Sequence, residues 1–285
     1  MRPSTASAKS VAFSPQPYNI EPRRRTQSRP LNMEKQVFEK YDGSQVTESM
    51  LQEASELFSD HYGVWGEHAA KVLGEFAKAG SQVRISKRRL RAEYLPDGST
   101  CSYVRVTVNG SLAGNAFACR WVCNKRTICW VTQLVVHQDY RERGLAMGLL
   151  NQLQNYDDDI YGLMSSHPAA CLAAAKAFGN SINTVRLDFI KEHAEEIMRA
   201  SPIQYVKDAK LCGSVFDPED ANGLVSSVDT GFWIDHTEPS EALAWARDMV
   251  DWPLGELHDG HEFLLILGVR RRFRSRPTSR PKAVS

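Results

Sequence analysis

The chain has 285 residues, 42% hydrophobic and 24% charged, an ordinary composition for a globular protein. Its formal net charge of +1 conceals an asymmetry: residues 1–33 carry six basic groups and one acid, residues 269–285 seven and none, and the stretch between them 22 basic and 33 acidic groups. That acidic body argues against a nucleic-acid clamp, suits a cationic substrate such as an amine, and leaves only weak nucleic-acid contact to the tails.

Residues 1–33, rich in Ser, Pro and Arg, read as a disordered basic tail. Their low acid content resembles a mitochondrial presequence, but the prolines break any amphipathic helix, and no secretory signal is visible. Residues 269–285 read as a second basic tail, and residues 34–268 as a single domain with its core at 101–179. The six cysteines form no CxxC pair and are expected as small buried side chains in a reducing compartment, cytoplasmic or nuclear. The longest apolar run, residues 263–269, is too short to span a membrane.

The stretch 47–66 opens on Thr47 and repeats apolar residues at helical spacing, which predicts a capped amphipathic helix ending near Gly63. Residues 67–80 repeat the pattern and predict a second helix, and residues 86–95 a further helix or a loop. Val104, Val106 and Val108 alternate with polar partners ahead of Asn109–Gly110, which predicts a hairpin across a two-residue turn. Residues 127–137 predict a third strand, with Ile128, Trp130, Thr132, Leu134 and Val136 on one face and Cys129, Val131 and Val135 on the other, buried on both sides.

A helix follows, carrying Leu145, Leu149, Leu153 and Tyr156 along one face and ending before the acidic run 157–159. Residues 160–166 predict a short strand, and residues 167–179 an alanine-rich helix with Pro168 in its first turn. Beyond Gly179 the sequence predicts a helix over 185–200, strands at 231–236 and 261–269, and between them a helix at 240–250. The order implies an α/β fold, a mixed central sheet with helices on both faces and a parallel pair across the first of the two central helices.

The turn into that helix is Arg141-Glu142-Arg143-Gly144-Leu145-Ala146. A helix N-terminus presents bare N–H groups and partial positive charge, Gly144 lets the backbone come close to a ligand, and the two arginines add charge. Together they describe a cradle for a diphosphate, although an ordinary loop with solvated arginines has the same composition. Neither GxxxxGK[ST] nor GxGxxG is present.

The hexapeptide resembles the coenzyme A motif of the GNAT acetyltransferases, Q/R-x-x-G-x-G/A, and the preceding Val136-His137-Gln138-Asp139-Tyr140 is similar to the strand end V-H-P-x-Y common in that family. The stretch from Ser165 to Gly179 looks like a fungal branch of that superfamily. The resemblance implies a GNAT-like acyl-CoA N-acyltransferase fold and acetyl transfer from acetyl-CoA to an amine of a small molecule or protein, by direct attack and without a metal. It implies that the main chain of Leu134, Val135 and Val136 binds pantetheine, and that the amides of Glu142, Arg143, Gly144, Leu145 and Ala146, with Arg141 beside them, hold the pyrophosphate.

Relatives often carry Asn and, seven residues on, a proton-donating Tyr where this chain has His167 and Ala174. His167 is therefore expected either to transfer the proton or to serve as a helix cap. The missing Tyr also favours an alternative, a catalytically weak or inactive coenzyme A-binding module. His137 is expected to be structural, Gln133 and Glu93 could reach a substrate groove, and the HDGHE stretch at 258–262 lacks the order of a zinc-binding helix.

Overall fold

Eight strands form one sheet that organises the chain in the computed structural model, which describes residues 34–179 and 181–269. Both basic tails, apart from Val269, lie outside the described residues. In chain order the elements are β1 (Gln36–Asp42), α1 (Glu48–His61), α2 (Ala69–Leu73), α3 (Lys87–Tyr94), β2 (Thr100–Val108), β3 (Ser111–Cys123), β4 (Arg126–Val136), α4 (Leu145–Leu153), β5 (Ile160–Ser165) and α5 (Pro168–Phe178). They continue as α6 (Leu187–Arg199), α7 (Gln204–Asp208), β6 (Lys210–Cys212), β7 (Ser227–Asp229), α8 (Thr237–Met249) and β8 (His261–Gly268).

The sheet order is β1-β2-β3-β4-β5-β8-β7-β6. β1 to β4 run antiparallel, β4 and β5 are parallel, and the remaining neighbours are antiparallel. One face is covered by α1, α3 and α6, burying Leu51, Phe58, Leu90, Ile190 and Ile197 against Tyr103, Phe117 and Trp130. The other face carries α4, α5 and α8, burying Leu149, Leu153, Cys171, Ala174 and Leu243 against Val104, Val106 and Phe263. The fold is therefore mixed α/β with helices on both faces.

Local signals explain most of these elements. Thr47 accepts a hydrogen bond from the Met50 amide and starts α1. Asn109 and Gly110 take φ of 53° and 90°, the left-handed pair that closes the β2–β3 hairpin. The helix expected over 67–80 is only the five residues of α2, because Gly74 at φ 102° ends it. Tyr156 lies beyond the end of α4 and is 85% exposed, so it is no part of that helix's buried face. Residues 231–236 form no strand; Ile234 makes a single bridge to Trp65.

The two faces of β4 also differ from strict alternation. Phe117 pairs with Gln133 and Ala118 with Val131, which leaves Thr132 as the extra residue of a bulge. Before it, Ile128 and Trp130 face the α1 side; after it, Val135 does, while Leu134 and Val136 face α4. One added residue inverts the phase of the strand.

Candidate functional site

The parallel contact between β4 and β5 is short. It runs from Ile128 opposite Ile160 to Val131 opposite Leu163, although β4 continues to Val136 and β5 to Ser165. Past that point β4 keeps its antiparallel partner, with Ala116, Asn115 and Gly114 opposite Leu134, Val135 and Val136. Among the described residues no strand pairs with the other edge of residues 134–136. The bulge at Thr132 coincides with this parting, and the Tyr205 hydroxyl donates to the Thr132 carbonyl at 2.8 Å.

The open edge leads to the turn before α4. Gly144 is the N-cap, at φ 76° and ψ 7°, and it follows Glu142 at φ 62°. A side chain at Gly144 would meet nothing within 4 Å, so the main chain there faces open space. No side chain caps α4, and its first turn holds no acid. The first bond of the helix runs from the Gly148 amide to the Gly144 carbonyl, so the preceding amides, including those of Leu145 and Ala146, are left to an outside acceptor. A carbonyl-rich or acidic ligand fits this end; a cationic one does not.

The arginines differ from the expectation of two free charges at the mouth. Arg141 donates from Nη2 to the His61 carbonyl at 2.7 Å and from Nη1 to the Glu238 carboxylate, which ties the turn to α1 and α8. Its charge is thus committed to Glu238. Arg143 pairs with Glu34 at 2.9 Å and lies 5.1 Å from the centre of the Tyr140 ring. Behind them His137 accepts from the Asp139 amide through Nδ1 and lies against the His61 ring, with centroids 3.7 Å apart. Burial first, then the neighbouring His137 and Arg141, holds the His61 imidazole below its ordinary range.

A cavity of about 530 Å³ opens where β4 and β5 part, and its walls include Thr132, Gln133, Leu134, Leu163, Met164, Ser165 and Ala170. Gln133 and Glu93 both line it. The Gln133 amide is buried beside the Tyr94 phenol, with neither its oxygen nor its nitrogen in a well-formed hydrogen bond. His167 is not among the lining residues. Its Nδ1 accepts from the Ala169 amide at 3.2 Å, capping α5, and its Nε2 stands 3.6 Å from Glu238. Ala174, where relatives carry the proton-donating Tyr, is fully buried against the α4 side of the sheet.

The group that faces the cavity is Glu262, on β8. Its carboxyl is buried, and burial pushes it up to about 7, against the lesser pull of hydrogen bonds from Thr230 and the Ser166 amide. Tyr62, Tyr94 and Tyr205 surround it closely enough that its charge helps to raise each phenol, after burial. A carboxyl poised near neutrality inside a cleft can exchange a proton with an amine. Sequence reading passed over Glu262, yet its signal was there: Glu262, Leu264 and Ile266 share a strand face by period two, and the latter two are core residues.

The rest of the HDGHE stretch serves other contacts. Asp259 lies 3.2 Å from the His68 imidazole, and His261 Nδ1 lies 3.0 Å from the Asp259 carbonyl. Among the described residues no group of three or more His, Cys, Asp or Glu is placed to hold a metal ion. No helix among them is long and apolar enough to cross a membrane.

Comparison with known proteins gives no matching protein-family model and no matching curated protein. Solved structures similar to the chain include the ribosomal-protein-S18-alanine N-acetyltransferase from Escherichia coli, at 15% identity and a TM-score of 0.33, covering 51% of this chain and 77% of that one. A GCN5-related N-acetyltransferase from Kribbella flavida is similar at 16% identity and a TM-score of 0.29, over 48% of this chain and 32% of that one. A tandem GNAT protein from the clavulanic acid biosynthesis pathway is similar at 14% identity and a TM-score of 0.33, over 50% of this chain and 43% of that one.

Proposed function

We propose that this chain is a GNAT-type acyltransferase that moves an acetyl group from acetyl-CoA to an amine. The observation that carries the reading is the joining of three features: an unpaired strand edge at residues 134–136, an uncapped helix start at Gly144 that follows it in the chain, and a buried carboxyl in the cavity that this edge reaches at Leu134. In this reading the main chain of Leu134, Val135 and Val136 receives the pantetheine arm as an added strand would. The amides of residues 142–146 receive the diphosphate, and Arg141 braces that turn from behind. Residues 34–268 act as one domain.

When bound, acetyl-CoA supplies the thioester. The amine nitrogen forms the new C–N bond as the C–S bond breaks, Glu262 accepts the amine's proton, and coenzyme A leaves as a thiolate that is protonated from water. Proton transfer thus falls to Glu262 rather than to the expected His167, whose Nδ1 is occupied as a cap. In this reading the Gln133 side-chain amide, which lines the cavity without a well-formed hydrogen bond, donates to the developing oxyanion. The second reading, a coenzyme A-binding module without catalysis, draws on one observation: Ala174 is sealed in the core and offers no proton.

Acetyl-CoA is expected to raise the melting temperature of the full chain, and Gly144→Glu to abolish the rise by filling the approach and adding negative charge. No rise in the unaltered chain overturns both readings. A rise without thiol release across a panel of amines selects the module.

A further inference from the structure

We infer that the acceptor is a small lipophilic monoamine: one primary amine on an apolar body of aromatic size, received by the aromatic chamber around Glu262. This deepens the proposed function and rests on it only for what happens to the bound amine. The chamber is the part of the cavity walled by aromatic rings. Its entrance is marked by Phe76, whose ring is 69% exposed yet meets Trp65 edge-on at 6.1 Å. From Trp65 the rings continue to Phe232 at 5.5 Å and to Tyr62 at 6.0 Å beyond it. Tyr205 and Tyr94 meet edge-on at 6.1 Å and add to the wall. An exposed phenylalanine continuous with a ring-lined cavity costs solubility, and it is explained if apolar ligands enter past it.

The polar groups of this wall say how many charges the ligand carries. Four other charged residues line the cavity: Arg84, Arg89, Glu93 and Asp208. Arg84 and Asp208 are exposed, Arg89 and Glu93 neutralise one another at 2.6 Å, and Asp208 accepts from the Gln204 amide. Among the lining residues, Glu262 alone offers a buried carboxylate without a basic partner. A single ammonium can be matched there, with rings at hand for cation–π contact. A polyamine or an aminosugar would leave its other charges against aromatic walls. A lysine-bearing peptide would leave main-chain groups unmatched against those walls.

Calorimetric titration of the full chain at pH 8, above the Glu262 midpoint and without acetyl-CoA, tests this. The probes are 2-phenylethylamine, its neutral counterpart 2-phenylethanol, spermidine and a short lysine peptide. The arylamine is expected to bind at least ten-fold tighter than the other three. Glu262→Gln is expected to bring it down to the level of the alcohol, whose own affinity stays unchanged, and Phe232→Ala to weaken both. Tighter binding of spermidine or of the peptide overturns the inference. So does failure of the arylamine to bind while acetyl-CoA still raises the melting temperature, an outcome that leaves the coenzyme reading standing. An arylamine that binds but is never acetylated overturns its role as acceptor and leaves the chamber an amine-binding site only. The ranking on the unaltered chain decides the matter even if the variants do not fold.

Discussion

α4 and α5 each begin just after one of the two parallel strands, so backbone geometry gives them the same problem: a helix start with bare amides. α5 solves it locally. His167 Nδ1 takes the Ala169 amide, Ser165 Oγ takes the His167 amide, and Pro168 removes one donor from the first turn. α4 leaves it unsolved, with Gly144 at the cap and no acid in the first turn. α1 and α3 are closed by Thr47 and Ser86 in the same way as α5. α2, α6, α7 and α8 also lack a side-chain cap, so the missing cap alone does not single out α4. What separates α4 from α5 is that its start at Gly144 faces empty space, which is the room a ligand would need.

The sharpest way to break this comparison is to close α4. Ala146→Asp places a carboxylate in the first turn, where the dipole favours it by roughly 0.3–1 kcal/mol. The variant is expected to melt slightly higher without ligand and to lose acetyl-CoA binding by 100-fold or more. Ala169→Asp, at the equivalent place in α5, is expected to give the same small gain with binding intact. A thermal-shift series on the two variants reads both effects. Ala146→Asp with undiminished binding would sink the assignment of that turn.

Glu262→Gln comes next in size. If Glu262 is the general base as proposed, its loss costs about 10²–10⁴ in rate, and the unaltered chain is expected to gain kcat with a midpoint near pH 7 that the variant lacks. The phenols around the carboxyl are all pushed above their ordinary range, so none of them titrates in this window. Stability carries the same signature with opposite sense. The folded carboxyl titrates at about 7 against an ordinary 4.5, so its favourable contribution is complete below pH 4.5 and is lost as pH rises through 7. Between pH 4.5 and 8 the Gln variant is therefore expected to gain roughly 3 kcal/mol on the unaltered chain in urea unfolding. Parallel curves for the two proteins would show that Glu262 is not held neutral.

The sequence made the centre of the molecule readable and its rims opaque, for physical reasons. β2 carries an alternating valine pattern, β3 and β4 are long and largely buried, and tight turns join the three, while α4 and α5 carry unbroken apolar stripes. β1 is an edge strand of mixed exposure rich in charge, while β6 and β7 are three residues each, too short for any period to register. Within the site, the turn at 141–146 was legible because its peptide geometry is encoded by adjacent residues. Glu262 was not ranked, because its meaning depends on Tyr62, Tyr94 and Tyr205, which arrive from three distant segments. The face switch of β4 was hidden likewise, since a bulge is a property of the pair with β3.

Smaller effects sharpen the contrast between bracing and contacting residues. Arg141→Ala removes the tie to the His61 carbonyl and Glu238, which costs about 1 kcal/mol and lets the turn drift. It is expected to raise the KM for acetyl-CoA about ten-fold with kcat little changed. Arg143→Ala, losing a surface pair with Glu34 and an exposed contact over the Tyr140 ring, is expected to stay within about two-fold. Equal effects from the two arginines would remove the bracing role.

The smallest change is the one that separates a cap from a catalyst. His167→Ala deletes the acceptor for the Ala169 amide, a loss of about 1 kcal/mol for a helix start, whereas His167→Asn keeps a side-chain oxygen within reach of that amide. The alanine variant is expected to unfold at lower urea with its pH–rate profile intact, and the asparagine variant to recover most of that stability. Such a result keeps α5 as the closed member of the pair. Should kcat fall sharply and the midpoint near pH 7 vanish in His167→Ala while Glu262→Gln leaves both untouched, the proton would belong to the imidazole, and the closed helix rather than the open one would carry the chemistry.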